Sequence, residues 1–210
     1  MPVACPVALP GFEHVQRAWD PEQARWTARL MPGEYYVTTH DEAITTVLGS
    51  CIAACVRDPV LRIGGMNHFM LPDDAAGGRG GWLEQQVGRA ARYGTYAMES
   101  LINGLLKCGA RRDRLEVKLF GGGNILSAHA HIGARNIEFA HAFLRVEGLT
   151  VLAEDVGEAY PRRVVYFPVS GRALVRRLSS LDHRELAARE RHHLVRLDRS
   201  AGGNDVELFG

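Results

Sequence analysis

Across 210 residues, 46% of them hydrophobic, the chain can bury one well-formed core, and two separate domains would be cramped. The 25 lysines and arginines nearly cancel the 24 aspartates and glutamates, so no global field gathers nucleic acid or anionic lipid. The four cysteines, Cys5, Cys51, Cys55 and Cys108, are too sparse for a secreted disulfide scaffold, and the start M-P-V-A-C-P lacks the basic and apolar regions of a signal peptide. No apolar run approaches the roughly 20 residues that span a bilayer. A cytoplasmic protein with reduced thiols and no direct membrane insertion is expected.

Residues 1 to 32 are rich in proline and tryptophan without a sustained period, and they read as an N-terminal extension closed by Pro32-Gly33. Y35-Y-V-T-T39 favours an opening strand. Ser50 to Arg57 and Arg62 to Leu71 are strand-like and flank D58-P-V-L61, which suits a type I turn with Asp58 first and Pro59 second. The glycine-rich stretch 73–81 fits neither helix nor strand and reads as a mobile loop. From Trp82 to Leu106 the apolar residues Leu83, Val87, Met98, Leu101, Ile102 and Leu105 recur at helical spacing, with Gly109 as the stop.

Leu115, Val117 and Leu119 alternate with Glu116 and Lys118, predicting a strand that runs into G121-G-G-N124. Ile137, Ala140, Phe143 and Leu144 mark a second helix, ended near Gly148. Leu149 to Ala153, Arg163 to Val169 and Ala173 to Leu178 are further strand candidates. The expected fold class is α/β, with a mixed or antiparallel sheet core and two main helices over about residues 33–180. Residues 181–210 form a basic tail, a solvated face or docking segment. Neither end is expected to be needed for chemistry.

Cys51 and His68 lie on the two arms of the predicted hairpin. Centring the turn between Pro59 and Val60 pairs Cys51 with His68, and directly opposed residues have Cβ atoms about 4.5–5.5 Å apart. Such a pair suits nucleophilic catalysis: the imidazole takes the thiol proton and later protonates a leaving amine. The facing imidazole should depress the thiol pKa below about 8.5. Gly49 removes bulk where substrate approaches, and backbone N–H groups near Ser50 and Cys51 suit an oxyanion. Thr45, Thr46, Asn67 and Ser50 are local candidates for orienting the imidazole. Packing is the plain alternative for both residues.

Cys55 reads as core. A zinc site from Cys51, Cys55 and His68 lacks an evident fourth ligand. G121-G-G-N lacks the lysine and hydroxyl of a phosphate loop and reads as a tight turn. His129 and His131 could bind metal but read as solvated, and Glu154-Asp155 as ordinary strand-end carboxylates.

The blocks T45-T-V-L-G-S-C51, G64-G-M-N-H-F-M-L-P72, I132-G-A-R-N136 and L152-A-E-D-V-G157 resemble the chemoreceptor glutamine deamidase CheD family, in family order and spacing over about residues 34–178. The resemblance implies a layered α/β fold and a catalytic triad of Cys51 as nucleophile, His68 as general base and acid, and Thr45 as the orienting residue. It implies hydrolysis of glutamine side chains to glutamate on methyl-accepting chemotaxis receptors by a thioester mechanism without a cofactor, tuning adaptation. Some family members also bind a chemotaxis phosphatase. Two rival readings follow: a transglutaminase-like enzyme, in which a lysine amine intercepts the thioester, and a non-catalytic docking module for a phosphatase.

Overall fold

The computed structural model describes residues 4–72, 89–125, 131–179, 186, 188, 190–193 and 195–197, and among these the strand-forming segments build two five-stranded sheets. In the first, β1 (Gln16–Asp20) and β2 (Arg25–Arg29) form an antiparallel hairpin. Its second strand runs parallel to β4 (Ala43–Leu48), and β9 (Arg162–Phe167) and β10 (Arg172–Arg177) continue the sheet antiparallel, in the order β1-β2-β4-β9-β10. The second sheet contains β3 (Tyr35–Thr38), β5 (Ile52–Asp58), β6 (Ile63–Asn67), β7 (Glu116–Gly121) and β8 (Val151–Val156), ordered β3-β6-β5-β7-β8. Only its β7–β8 pairing is parallel.

Two helices cover this second sheet. Helix α1 (Arg89–Lys107) packs on β3, β5 and β6, and α2 (His131–Val146) packs on β5 and α1. Met98, Leu101, Ile102 and Leu105 of α1 and Ile132, Ala140 and Leu144 of α2 are buried, the stripe expected of a core-facing helix. Both helices end in a left-handed glycine, Gly109 (φ 89°) and Gly148 (φ 67°). The next N–H reaches back to close each last turn, from Ala110 to the Leu105 carbonyl and from Leu149 to that of Leu144. The other face of the sheet meets the first sheet. A Cβ on Gly65 would strike Leu101 of α1, whereas one on Gly64 would strike Pro168 just past β9. The result is a layered α/β fold, as expected. β5 is buried on both faces, which is why it reads as a continuous apolar run rather than an alternation.

Two expectations change, and one strand is unforeseen. Residues 1–32 are not appended to the fold: β1 and β2 belong to the first sheet, and Phe12, Val15, Ala28 and Leu30 are buried in the core. The signal was weak because β1 is half exposed and too short for a sustained period. Ala43–Leu48 is a full strand, although its threonines gave it no apolar alternation.

The hairpin register is also shifted by two residues. Asp58 pairs with Ile63, Cys55 with Met66, and Ile52 bridges Phe69. Asp58 accepts the Val60 and Leu61 N–H groups on Oδ1 and the Arg62 N–H on its carbonyl, and Arg62 takes the left-handed conformation at φ 58°. The loop is therefore Pro59–Arg62, wider than a two-residue turn. The loop expected at 73–81, the helical turns expected from Trp82 to 88, and most of the tail lie outside the described residues.

Candidate active site

Cys51 stands just before β5, and His68 just after β6. Because Ile52 bridges Phe69, Cys51 is opposite Met70 and His68 opposite Ala53. A shift of two preserves the face, so Cys51 and His68 remain on one side of the sheet as diagonal neighbours, about 7–8 Å apart at Cα. Both are buried, at 0% and 2% exposure.

The two threonines separate cleanly. Successive strand residues point to opposite faces. Thr46 Oγ lies 2.7 Å from His68 Nδ1, while the Thr45 hydroxyl donates to the Val164 carbonyl at 2.9 Å on the neighbouring strand. Of the two, it is Thr46 that meets the imidazole. Thr46 also donates its only proton to the Leu30 carbonyl at 2.9 Å, so toward His68 it can only accept. The hydrogen-bond network thus assigns the ring proton to Nδ1. Nε2 is left unprotonated and buried, and among the described residues it has no hydrogen-bond partner. Asn67, another local candidate, is used elsewhere: its side chain joins the Ala54 N–H to the Ala97 carbonyl of α1.

Between β4 and β5 the chain turns through Gly49, Ser50 and Cys51, with its N–H groups converging on one point. The Glu190 carboxylate occupies that point. Oε1 accepts from the Gly49 N–H (2.9 Å) and Cys51 N–H (3.4 Å), and Oε2 from the Ser50 N–H (2.9 Å) and Ser50 hydroxyl (2.6 Å). Converging amides of this kind form an anion-binding nest. A Cβ on Gly49 would lie 2.8 Å from both carboxylate oxygens, so a side chain there would close the nest.

The nest is braced from behind. Asn136 of α2 donates to the Ser50 carbonyl at 2.7 Å, fixing the peptide whose opposite edge carries the Cys51 N–H. Asn136 Oδ1 in turn accepts the Leu71 N–H. Gly122 and Gly123 donate to the carbonyls of Cys51 and Gly49. That is the structural work of G121-G-G-N, which is not the expected tight turn.

Burial dominates the electrostatics. It holds the Cys51 thiol well above its ordinary pKa, and the adjacent Glu190 carboxylate, which the thiol hydrogen-bonds, adds to the rise. The expected depression of the thiol pKa is therefore reversed in this arrangement, because burial, and after it the facing Glu190 carboxylate, favour the neutral thiol. Burial also lowers His68 to about 3, and the neighbouring His193 contributes in the same direction. Glu190 and His193 are three residues apart on a helical segment and so share a face, one toward Cys51 and the other toward His68. Beside them a cavity of about 450 Å³ is lined by Arg29, Met31, Val47, His68 and His193. Cys51 does not line it, being sealed beneath Glu190.

The lesser candidates disperse. Cys55 is buried in the core at 0% exposure. Glu154 pairs with His141, and Asp155 with the buried Arg162, so these adjacent carboxylates point apart. His129 lies outside the described residues, and His131 begins α2. Among the described residues no group of three or more His, Cys, Asp or Glu side chains is arranged to hold a metal ion. Glu190 and Asn136 were not singled out from the sequence as site residues. Asn136 stood within a quoted motif, whereas Glu190 lay in a basic tail with no local signal.

A buried thiol and a buried imidazole on one sheet face, with a nest of backbone N–H groups at the thiol, sit on a two-sheet α/β scaffold; these are the kinds of group that thiol-based nucleophilic chemistry draws on. Residues 70–177 match the family model described as CheD chemotactic sensory transduction. A protein of Hahella chejuensis named probable chemoreceptor glutamine deamidase CheD is 48% identical over 97% of this chain and 95% of its own length. A protein of the same name from Halorhodospira halophila is also 48% identical, over 99% and 95%. One from Hydrogenovibrio crunogenus is 49% identical, over 93% of this chain and 100% of its own. The chain belongs to the CheD family.

Proposed function

We propose that this protein is a protein-glutamine deamidase that converts glutamine side chains of methyl-accepting chemotaxis receptors to glutamate. Family membership supports the substrate class, since the relatives carry the name chemoreceptor glutamine deamidase. The observation that carries the chemistry is the occupied nest. Glutamate and glutamine are nearly isosteric, and Glu190 seats a carboxylate, the functional group of the product, against the N–H groups of Gly49, Ser50 and Cys51.

A glutamine in that position presents Cδ to the Cys51 sulfur. His68 Nε2 takes the thiol proton as sulfur attacks, and the nest holds the developing oxyanion. The C–N bond breaks, the imidazolium returns the proton to the leaving ammonia, and a thioester remains on Cys51. Water then gives a proton to Nε2 and attacks Cδ. The C–S bond breaks, the thiol is reprotonated, and glutamate leaves. Thr46 is the positioning residue that keeps the ring proton on Nδ1.

The added negative charge on a receptor helix alters its packing electrostatics and creates a methylation site, which would tune adaptation. A substrate on the receptor's cytoplasmic helices calls for a cytoplasmic enzyme. No helix of the described residues is long and apolar enough to cross a membrane. A chemotaxis phosphatase is a further partner in this reading.

The test is incubation with a receptor cytoplasmic fragment, measuring ammonia and mapping glutamine-to-glutamate conversion by mass. Release of ammonia with one acid gained per event is expected. Ammonia release accompanied by lysine cross-links would indicate the transglutaminase-like alternative, and no release would support the docking module.

A further inference from the structure

The segment that carries Glu190 blocks the chemistry proposed above. While its carboxylate fills the nest, no substrate amide can reach Cys51, which is 0% exposed, and His68 is sealed at 2%. Of the segment's described residues, which are helical at 186, 188, 190–193 and 195–197, only Glu190 is fully buried, at 1%. Ala188, Arg191, His192, Val195 and Arg196 are exposed. Burying a carboxylate is costly without dedicated donors, and here four donors from Gly49, Ser50 and Cys51 converge on it.

We infer that this C-terminal helical segment is a product mimic in cis. It docks in the substrate groove with Glu190 in the place of the product glutamate, and the site turns over only when the segment leaves. The inference rests on the deamidase reading and extends it in two ways. The groove accepts an α-helical segment that presents its amide from one face, and the resting enzyme is autoinhibited by its own chain. Departure of the segment would withdraw both the Glu190 carboxylate from Cys51 and His193 from His68.

The experiment uses the full chain with Glu190→Ala, Glu190→Gln, and Glu190→Gln combined with Cys51→Ala. Glu190→Ala should make Cys51 react with iodoacetamide about tenfold faster than wild type or more, the scale set by losing hydrogen bonds to a charged group. It should lower KM for a receptor fragment by a similar factor. Glu190→Gln is isosteric and should fold; its introduced amide should be hydrolysed back to glutamate at a rate independent of protein concentration. The Cys51→Ala double variant should keep the amide.

If wild type deamidates the receptor fragment, Glu190→Ala leaves Cys51 alkylation unchanged and the introduced amide persists, the product-mimic inference is overturned and the deamidase reading stands. If Cys51 becomes reactive in Glu190→Ala but no variant hydrolyses either the receptor or its own amide, the segment covers the site and the deamidase reading fails.

Discussion

Thr46 and His68 share a buried 2.7 Å hydrogen bond, and the same threonine hydroxyl donates to Leu30, so the imidazole is held with its proton on Nδ1. Thr46→Val removes the acceptor while nearly preserving volume. It should lower kcat for receptor deamidation about ten- to a hundredfold with KM little changed, the scale of one hydrogen bond to a group that becomes charged during turnover. Thr46→Ser should recover most of the loss. Thr45→Val should retain activity, since its hydroxyl serves Val164. Equal losses in Thr45→Val and Thr46→Val would remove the positioning role.

Among the cysteines, Cys51 alone adjoins the nest. Cys51→Ala should abolish ammonia release from a receptor fragment, whereas Cys5→Ser, at an exposed residue, and Cys108→Ser, at a partly buried one, should retain it. Full activity in Cys51→Ala would end the thioester mechanism.

The pairing of Cys51 with His68 on one sheet face was legible because parity survives a register error of two residues; only the direct opposition failed. The error arose at Asp58, whose side chain caps a wider loop, a choice that dipeptide turn signals do not reveal. The helices were legible because their faces are buried on one side only. Thr46 rather than Thr45 depended on which face of β4 meets His68, and a strand of threonines carries no hydropathy contrast to settle it. Glu190 was invisible for a different reason. It reaches the nest from about 140 residues away in sequence, and nothing local distinguishes it from other charged tail residues.

The first 30 residues should prove indispensable. Leu30 is 2% exposed and Ala28 0%, and the Leu30 carbonyl anchors Thr46. Leu30→Ala should cost about 2–5 kcal/mol of unfolding free energy, the range for a buried leucine truncated to alanine. Removing residues 1–30 strips β1 and β2 from the edge of β4 and should abolish cooperative unfolding. A truncated chain that unfolds cooperatively at the wild-type midpoint would show that the first sheet stands without them.

Acid should destabilise the protein through His68. Burial lowers its folded-state pKa to about 3 from an ordinary 6.5, so in the window between these values the unfolded chain binds a proton that the folded chain refuses. Stability from this group is fully present above pH 6.5 and is lost as pH falls toward 3. His193, half-buried and lowered by that partial burial, acts with the same sign. Asp58 is lowered as well, by hydrogen bonds from Arg111, Leu61, Arg114 and Val60 that outweigh its burial, but its contribution is lost only below its ordinary 3.8. Denaturant titrations between about pH 7 and about pH 4.5 therefore isolate the histidines from that carboxylate. Wild-type unfolding free energy should fall by about 1 kcal/mol per pH unit or somewhat more through the lower part of that range. His68→Gln should flatten most of this slope. A wild-type profile with no slope there would mean that His68 titrates freely in the folded protein, contrary to its burial against Thr46 and His193.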